Sequence, residues 1–207
     1  MADAATESER VLTAKGQETR RRIIDAASDS MVERGVSAVT LDDVGRATST
    51  SRSQMYHYFA NKDELVDAVV ICVRDRILAF QGDLLVDVRS VDDLEEWANA
   101  IIRCQRQGGV WSGCPLGTLA NELMNDTGAE RVDIRRAFDS WQILMESALT
   151  LLRDSGRLRA DADPAALAMA TLASLQGGLL MAKSMQDETP LKVTLAAAVA
   201  HVRTFAA

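Results

Sequence analysis

An all-α chain is predicted, with a three-helix helix-turn-helix unit near its N-terminus and a larger helical domain behind it. Three observations predict it. Of the 207 residues, 47% are hydrophobic, enough to bury a sizeable core. Proline occurs only at Pro115, Pro164 and Pro190, Ala and Leu are frequent, and β-branched runs are short. Three helix-start patterns crowd between Thr40 and Asn61, too close together for each helix to hold a core of its own.

Residues 1–15 show no hydrophobic periodicity and read as a flexible arm. A first helix is expected from about Gln17 to Arg34, with Ile24, Ala27 and Met31 on one stripe and Gly35 as its stop. Thr40 opens a short helix, with Asp43 three residues on and Leu41 and Val44 facing inward. Ala47-Thr48-Ser49-Thr50 is polar and reads as a turn. Ser51 and Gln54 have capping-box spacing and open a third helix ending near Phe59, anchored inward by Met55 and Phe59. Asn61 and Glu64 repeat the device for a fourth helix from Lys62 to about Leu85. Further helices are expected over about 91–107, 116–124 and 130–154, after Asp163, and over about 191–204. The chain thus divides into an arm (1–15), a helix-turn-helix domain (16–66) and a ligand-binding and dimerisation domain (67–207).

The net charge is −7, yet between Lys15 and Lys62 eight basic residues face six acidic ones. Local charge governs phosphate contact, so the acidic total does not exclude nucleic acid. A capped helix start offers free N–H groups to phosphate, and Thr40, Ser51 and Lys62 mark three such starts. Arg52, Ser53 and Gln54 occupy the first turn of the third helix, the part that reaches base edges in the major groove. Arg can bond guanine and Gln adenine, while Tyr56 and His57 can donate to the backbone on either flank. Double-stranded DNA is the partner this pattern implies. Arg20-Arg21-Arg22 reads better as a solvated face.

The run from Thr40 to Leu65, TLDDVGRATSTSRSQMYHYFANKDEL, resembles the signature of the TetR family of bacterial regulators. Tyr56-His57-Tyr58-Phe59 and Asn61-Lys62-Asp63-Glu64-Leu65 carry the match most strongly, and it covers roughly residues 17–66. The family turn usually reads Ala-Gly-Val-Ser, and here Thr48-Ser49-Thr50-Ser51 stands in its place. The resemblance implies a homodimeric repressor, released from a near-palindromic operator by a small hydrophobic effector. It also implies that the fourth helix, joining both domains, transmits the change.

The last two helices read as the dimer interface. Leu191, Leu195, Val199 and Val202 form a stripe, and Ala165–Leu180 is apolar nearly all round. The uncharged stretch from Pro164 to Lys183 is mediocre for lipid and reads as a buried helix, not a membrane span. Val110–Leu123 resembles the regulatory segment of a TetR subgroup that senses small hydrophobic compounds. Trp97, Trp111, Trp141, Met145 and Met181, with Cys114, are the candidate pocket residues, plain core packing being the alternative for each. Cys114 sits between Gly113 and Pro115, an irregular and accessible neighbourhood, and the resemblance allows an electrophile- or redox-sensing repressor as an alternative.

The three cysteines, Cys72, Cys104 and Cys114, are odd in number and suit neither a disulfide framework nor a zinc site. They and the polar, acidic N-terminus fit a cytoplasmic setting. His57 and His201 are far apart, and Asp42-Asp43 and Asp92-Asp93 read as helix-start charges. No catalytic residue, metal or cofactor is therefore expected. A helical interaction module without DNA binding is the other alternative, kept open by the altered turn.

Overall fold

The computed structural model describes residues 12–106, 112–124 and 129–207. Nine α-helices make up the described part: α1 (Ala14–Arg34), α2 (Leu41–Ala47), α3 (Arg52–Tyr58), α4 (Lys62–Leu85), α5 (Val91–Arg106), α6 (Pro115–Leu123), α7 (Ala129–Asp154), α8 (Pro164–Met185) and α9 (Thr189–Arg203). No strand occurs among these residues, only an isolated antiparallel bridge between Leu158 and Ala206. The all-α expectation holds.

Helix α1 starts earlier than expected. The Thr13 hydroxyl accepts from the Gly16 N–H at 3.2 Å, so residues 13–15 form the helix start and not the end of an arm. Residues 1–11 lie outside the described part. Gly35 ends α1 at φ 91°, as its position suggested.

Ile23, Ile24, Ala27 and Met31 of α1 are buried with Leu41 and Val44 of α2, Met55 of α3, Phe59, and Leu65, Val66 and Val69 of α4. This small core packs α1, α2 and α3 with the first half of α4. The same α4 continues against α5, α6 and α7, where Val73 and Leu85 are buried. Helix α7 packs on α8, α8 on α9, and α9 returns to α5. The Asp25 carboxylate on α1 accepts from Arg76 on α4 at 2.6 Å, a second tie between the two domains.

The stripe assigned to the dimer is used differently. Leu191, Leu195, Val199 and Val202 are all buried in the chain's own core, where α9 meets α8 and α5. Helix α8 has the length and hydropathy of a membrane span, but Leu167, Ala168, Leu172, Leu175 and Leu179 are buried within this fold. Its other side shows Met169, Ala170, Ala173, Gly177, Leu180, Met181 and Met185 at helical spacing, without a charge.

Phe59 is fully buried and locks the end of α3 to the reading-head core. Phe59→Ala is expected to lower stability by about 3–5 kcal/mol, read from the urea unfolding midpoint.

Candidate nucleic-acid interface

Helix α3 has only seven residues and stands because both its ends and one face are held. The Ser51 hydroxyl accepts from the Gln54 N–H at 3.3 Å, and Gln54 Oε1 accepts from the Ser51 N–H at 3.0 Å. Met55 and Phe59 point into the core, 1% and 0% exposed. Arg52, Ser53, Gln54, Tyr56 and His57 are all exposed. One face is therefore anchored and the opposite face is free.

Arg52 leans over the Tyr56 ring, 5.8 Å from its centroid, and its Nε is 3.9 Å from Asp42. The Tyr56 hydroxyl and the Asp42 carboxylate both favour its charged form. Gln54 is more restricted than its sequence position suggests. One lone pair of its oxygen is engaged in the capping box, which fixes the amide's orientation, whereas the amide nitrogen remains able to donate.

Helix α2 carries the other box. The Thr40 hydroxyl accepts from the Asp43 N–H at 3.1 Å, and Asp43 Oδ2 accepts from the Thr40 N–H at 3.0 Å. The Thr40 hydroxyl, first, then the Thr40 N–H and Arg46 hold the Asp43 carboxyl down at about 2. A depressed carboxylate stabilises above its unfolded value of about 3.8 and loses that contribution as pH falls toward about 2.

The turn between α2 and α3 explains the unusual Thr-Ser-Thr. Gly45 lies where an added Cβ would meet the Thr50 carbonyl at 3.0 Å and Met55 Cγ at 3.2 Å, so α2 and α3 can approach closely. Thr48 and Thr50 are buried but satisfied. The Thr48 hydroxyl lies 2.8 Å from the Val44 carbonyl and 2.9 Å from the Thr50 hydroxyl. Ser49 adopts φ 52°, the left-handed region that favours glycine.

Lys62 is half-buried and donates to the Ser37 carbonyl at 3.3 Å. The Ser37 N–H donates in turn to Glu122 on α6, also at 3.3 Å. Gly35, at φ 91°, lies against the same carboxylate: an added Cβ would fall 2.8 Å from Glu122 Oε1. The loop between α1 and α2 is thus held by the start of α4 and by a side chain of the second domain. Arg20 stacks over the Phe59 ring and Arg21 pairs with Glu18, so this basic run is partly engaged within the fold.

Residues 23–69 match the family described as bacterial regulatory proteins, tetR family. Residues 90–198, more than half of the chain, match the tetracyclin repressor-like C-terminal domain. The chain belongs to the TetR family. It is a DNA-binding transcriptional regulator of the repressor class, not an enzyme, and the interaction-module alternative falls away. Among similar proteins, an uncharacterised HTH-type transcriptional regulator of Lactococcus lactis is 29% identical over 82% of this chain and 85% of its own length. The HTH-type transcriptional repressor DhaR of Mycobacterium sp. strain GP1 is 25% identical over 83% of this chain and 86% of its own. A crystal structure of a regulatory protein TetR from Rhodobacter sphaeroides superposes with TM-score 0.78, covering 88% of this chain and 98% of that one, at 23% identity, a likeness of fold.

In this TetR-family chain the candidate pocket residues separate. Trp97 and Trp141 are buried and meet at Gln81 of α4, whose Oε1 accepts from both indoles, at 3.2 and 2.9 Å. Phe138 stacks on Trp141, with centroids 6.4 Å apart, and Met145, one turn further on, is also buried. Trp111 lies outside the described residues. Met181 does not belong to this group. It is 50% exposed, on the outward side of α8.

The openness expected at Cys114 is not found either. Cys114 is buried and caps α6, its Sγ accepting from the Gly117 N–H at 3.3 Å and from the Gln176 amide at 3.4 Å. Burial pushes the thiol up, the hydrogen bonds offsetting this in part. A protonated, covered thiol is a slow nucleophile. Gln81 and Glu122 were missed in the sequence. A lone Gln on an apolar helix stripe is a legible signal for the first, whereas nothing in sequence pairs Glu122 with a loop 85 residues away.

Because Ser49 holds a left-handed backbone, Ser49→Gly is expected to stabilise the protein by about 1 kcal/mol. An unchanged urea midpoint would contradict the strain.

Proposed function

We propose that this TetR-family regulator is a homodimeric repressor that reads a near-palindromic operator with α3 and is released by a small hydrophobic effector. The observation that carries the proposal is α3 itself, anchored by Met55 and Phe59 with its polar face free. In this reading Arg52 and Ser53 reach base edges, and Gln54 contributes its amide N–H groups. Thr40, Ser51, Tyr56, His57 and Lys62 surround that face with phosphate contacts that set register. Helix α2 lends the positive end of its dipole at Thr40.

The uncharged side of α8, with exposed Val193 of α9, is the proposed dimer face. It replaces the stripe of Leu191, Leu195, Val199 and Val202. Small residues at Ala173 and Gly177 allow close approach of a second copy, and two-fold symmetry pairs the reading heads. Met181 belongs to this face and not to the effector pocket. The cytoplasm is the compartment this function requires.

The effector site lies among Trp97, Trp141 and Met145, between α4, α5 and α7. Because α4 runs from this site to the reading head, an effector that prefers a different α4 position shifts the dimer toward a spacing that no longer fits DNA. The Glu122–Ser37–Lys62 linkage gives α6 a second hold on the same head.

Two measurements test the reading. Purified protein retained on sheared genomic DNA at low salt should enrich a near-palindrome. Arg52→Ala should weaken the retained sequence by about tenfold or more with the fold intact. Retention without sequence preference, or preference surviving in Arg52→Ala, would count against α3 as reader. For the interface, Leu180→Glu should convert the dimer to a monomer in sedimentation equilibrium, and a dimer that persists would exclude the α8 face.

A further inference from the structure

Gln81 is 4% exposed, yet only half of its amide is used. Its orientation is decided by chemistry. Indole N–H groups donate and cannot accept, so the two tryptophans require the carboxamide oxygen between them. The nitrogen then points away from both. No described residue accepts from Nε2. Nε2 is not among the fully enclosed side-chain atoms that lack a partner, so its free donor borders open space, and what it meets there calls for an explanation.

The surroundings narrow the explanation. Trp97 and Trp141 supply aromatic surface at the amide, Phe138 stacks on Trp141, and Met145 is buried one turn further along α7. In the second domain Gln81 and Thr171 are the buried polar side chains among the described residues, and no charged side chain is buried there. A charged ligand would find no described counter-ion at this depth, and its desolvation would go uncompensated. A neutral ligand with an oxygen acceptor would satisfy the amide.

We propose that Gln81 Nε2 is the polar anchor of the effector site, and that the effector class is neutral, largely aromatic molecules carrying a carbonyl-type oxygen. This rests on the effector-responsive reading above and adds the chemistry to it. The two indoles are positioning groups: by occupying the oxygen they aim the nitrogen at the ligand.

The test uses three probes of one shape: 2-acetylnaphthalene, 2-isopropylnaphthalene, which lacks the acceptor, and 2-naphthoate, which carries a charge. Affinity for the intact protein is read from quenching of tryptophan fluorescence. The ketone is expected to bind about tenfold tighter than the hydrocarbon and the carboxylate. In Gln81→Met, which keeps the volume, that preference for the ketone over the hydrocarbon should vanish. Since Gln81→Met leaves two indoles unpaired and can misfold, a second readout stays in the wild type. The side-chain ¹⁵NH₂ signal of Gln81 should shift with the ketone and stay in place with the hydrocarbon. Equal binding of ketone and hydrocarbon, tighter binding of the carboxylate, a preference that survives Gln81→Met, or no binding of the ketone up to its solubility limit each overturns the proposal. DNA retention is measured on the same wild-type preparation without probe. Retained DNA with any of those outcomes removes the Gln81 assignment and leaves the repressor reading standing, whereas lost retention fails the repressor reading itself.

Discussion

One helix carries a continuous core from the reading head into the second domain, and the rest of the structure depends on that. Helix α4 buries Leu65, Val66 and Val69 beside α1 and the reading helix, then Val73, Gln81 and Leu85 among α5, α6 and α7. Its 24 residues span about 36 Å, and a helix packed along its length moves as a stiff body. A displacement near Gln81 therefore has a mechanical route to the three-helix head. The bond from the Ser37 N–H to Glu122 ties the head to α6 of the second domain, and Lys62 braces the same loop from within the head. A regulator needs this kind of coupling, because an effector acts on DNA affinity only through a difference between two arrangements.

The reading helix itself is a marginal object. Seven residues are below the length at which a helix persists alone in water. Two buried side chains and one capping box hold it, so its exposed residues keep one bearing relative to α1 and α4. The cost shows in the turn, where Ser49 accepts a left-handed backbone and Thr48 and Thr50 bury hydroxyls that satisfy each other. That hydroxyl pair supplies locally what a small apolar residue supplies in the usual family turn. The altered turn thus keeps the close approach that Gly45 permits.

Local signals were the legible ones. The reciprocal pairs Thr40–Asp43 and Ser51–Gln54, the stop at Gly35 and the first-turn position of Pro164 each depend on neighbours within four residues, and each appears as read. Which side of an apolar helix faces a neighbour, and which faces outward, is a tertiary property. The stripe from Leu191 to Val202 looked like an interface because helical spacing marks burial without naming the partner, and the partner is α8 and α5 of the same chain. Met181 and Leu179 differ by two positions on α8 and lie on opposite sides of it. Cys114 looked open because glycine and proline flank it, yet those residues start a helix that the thiol caps. The role of Gln81 required three helices to meet.

If α3, as this scaffold presents it, is what touches DNA, its amides are covered in the complex. Amide hydrogen exchange of the intact protein with a retained operator fragment, set against an unrelated duplex of equal length, tests it most directly. Slowed exchange is expected over residues 51–59 and at the starts of α2 and α4 with the operator, and a weaker effect with the unrelated duplex. Protection that leaves α3 unchanged, or that is the same with both duplexes, would contradict it.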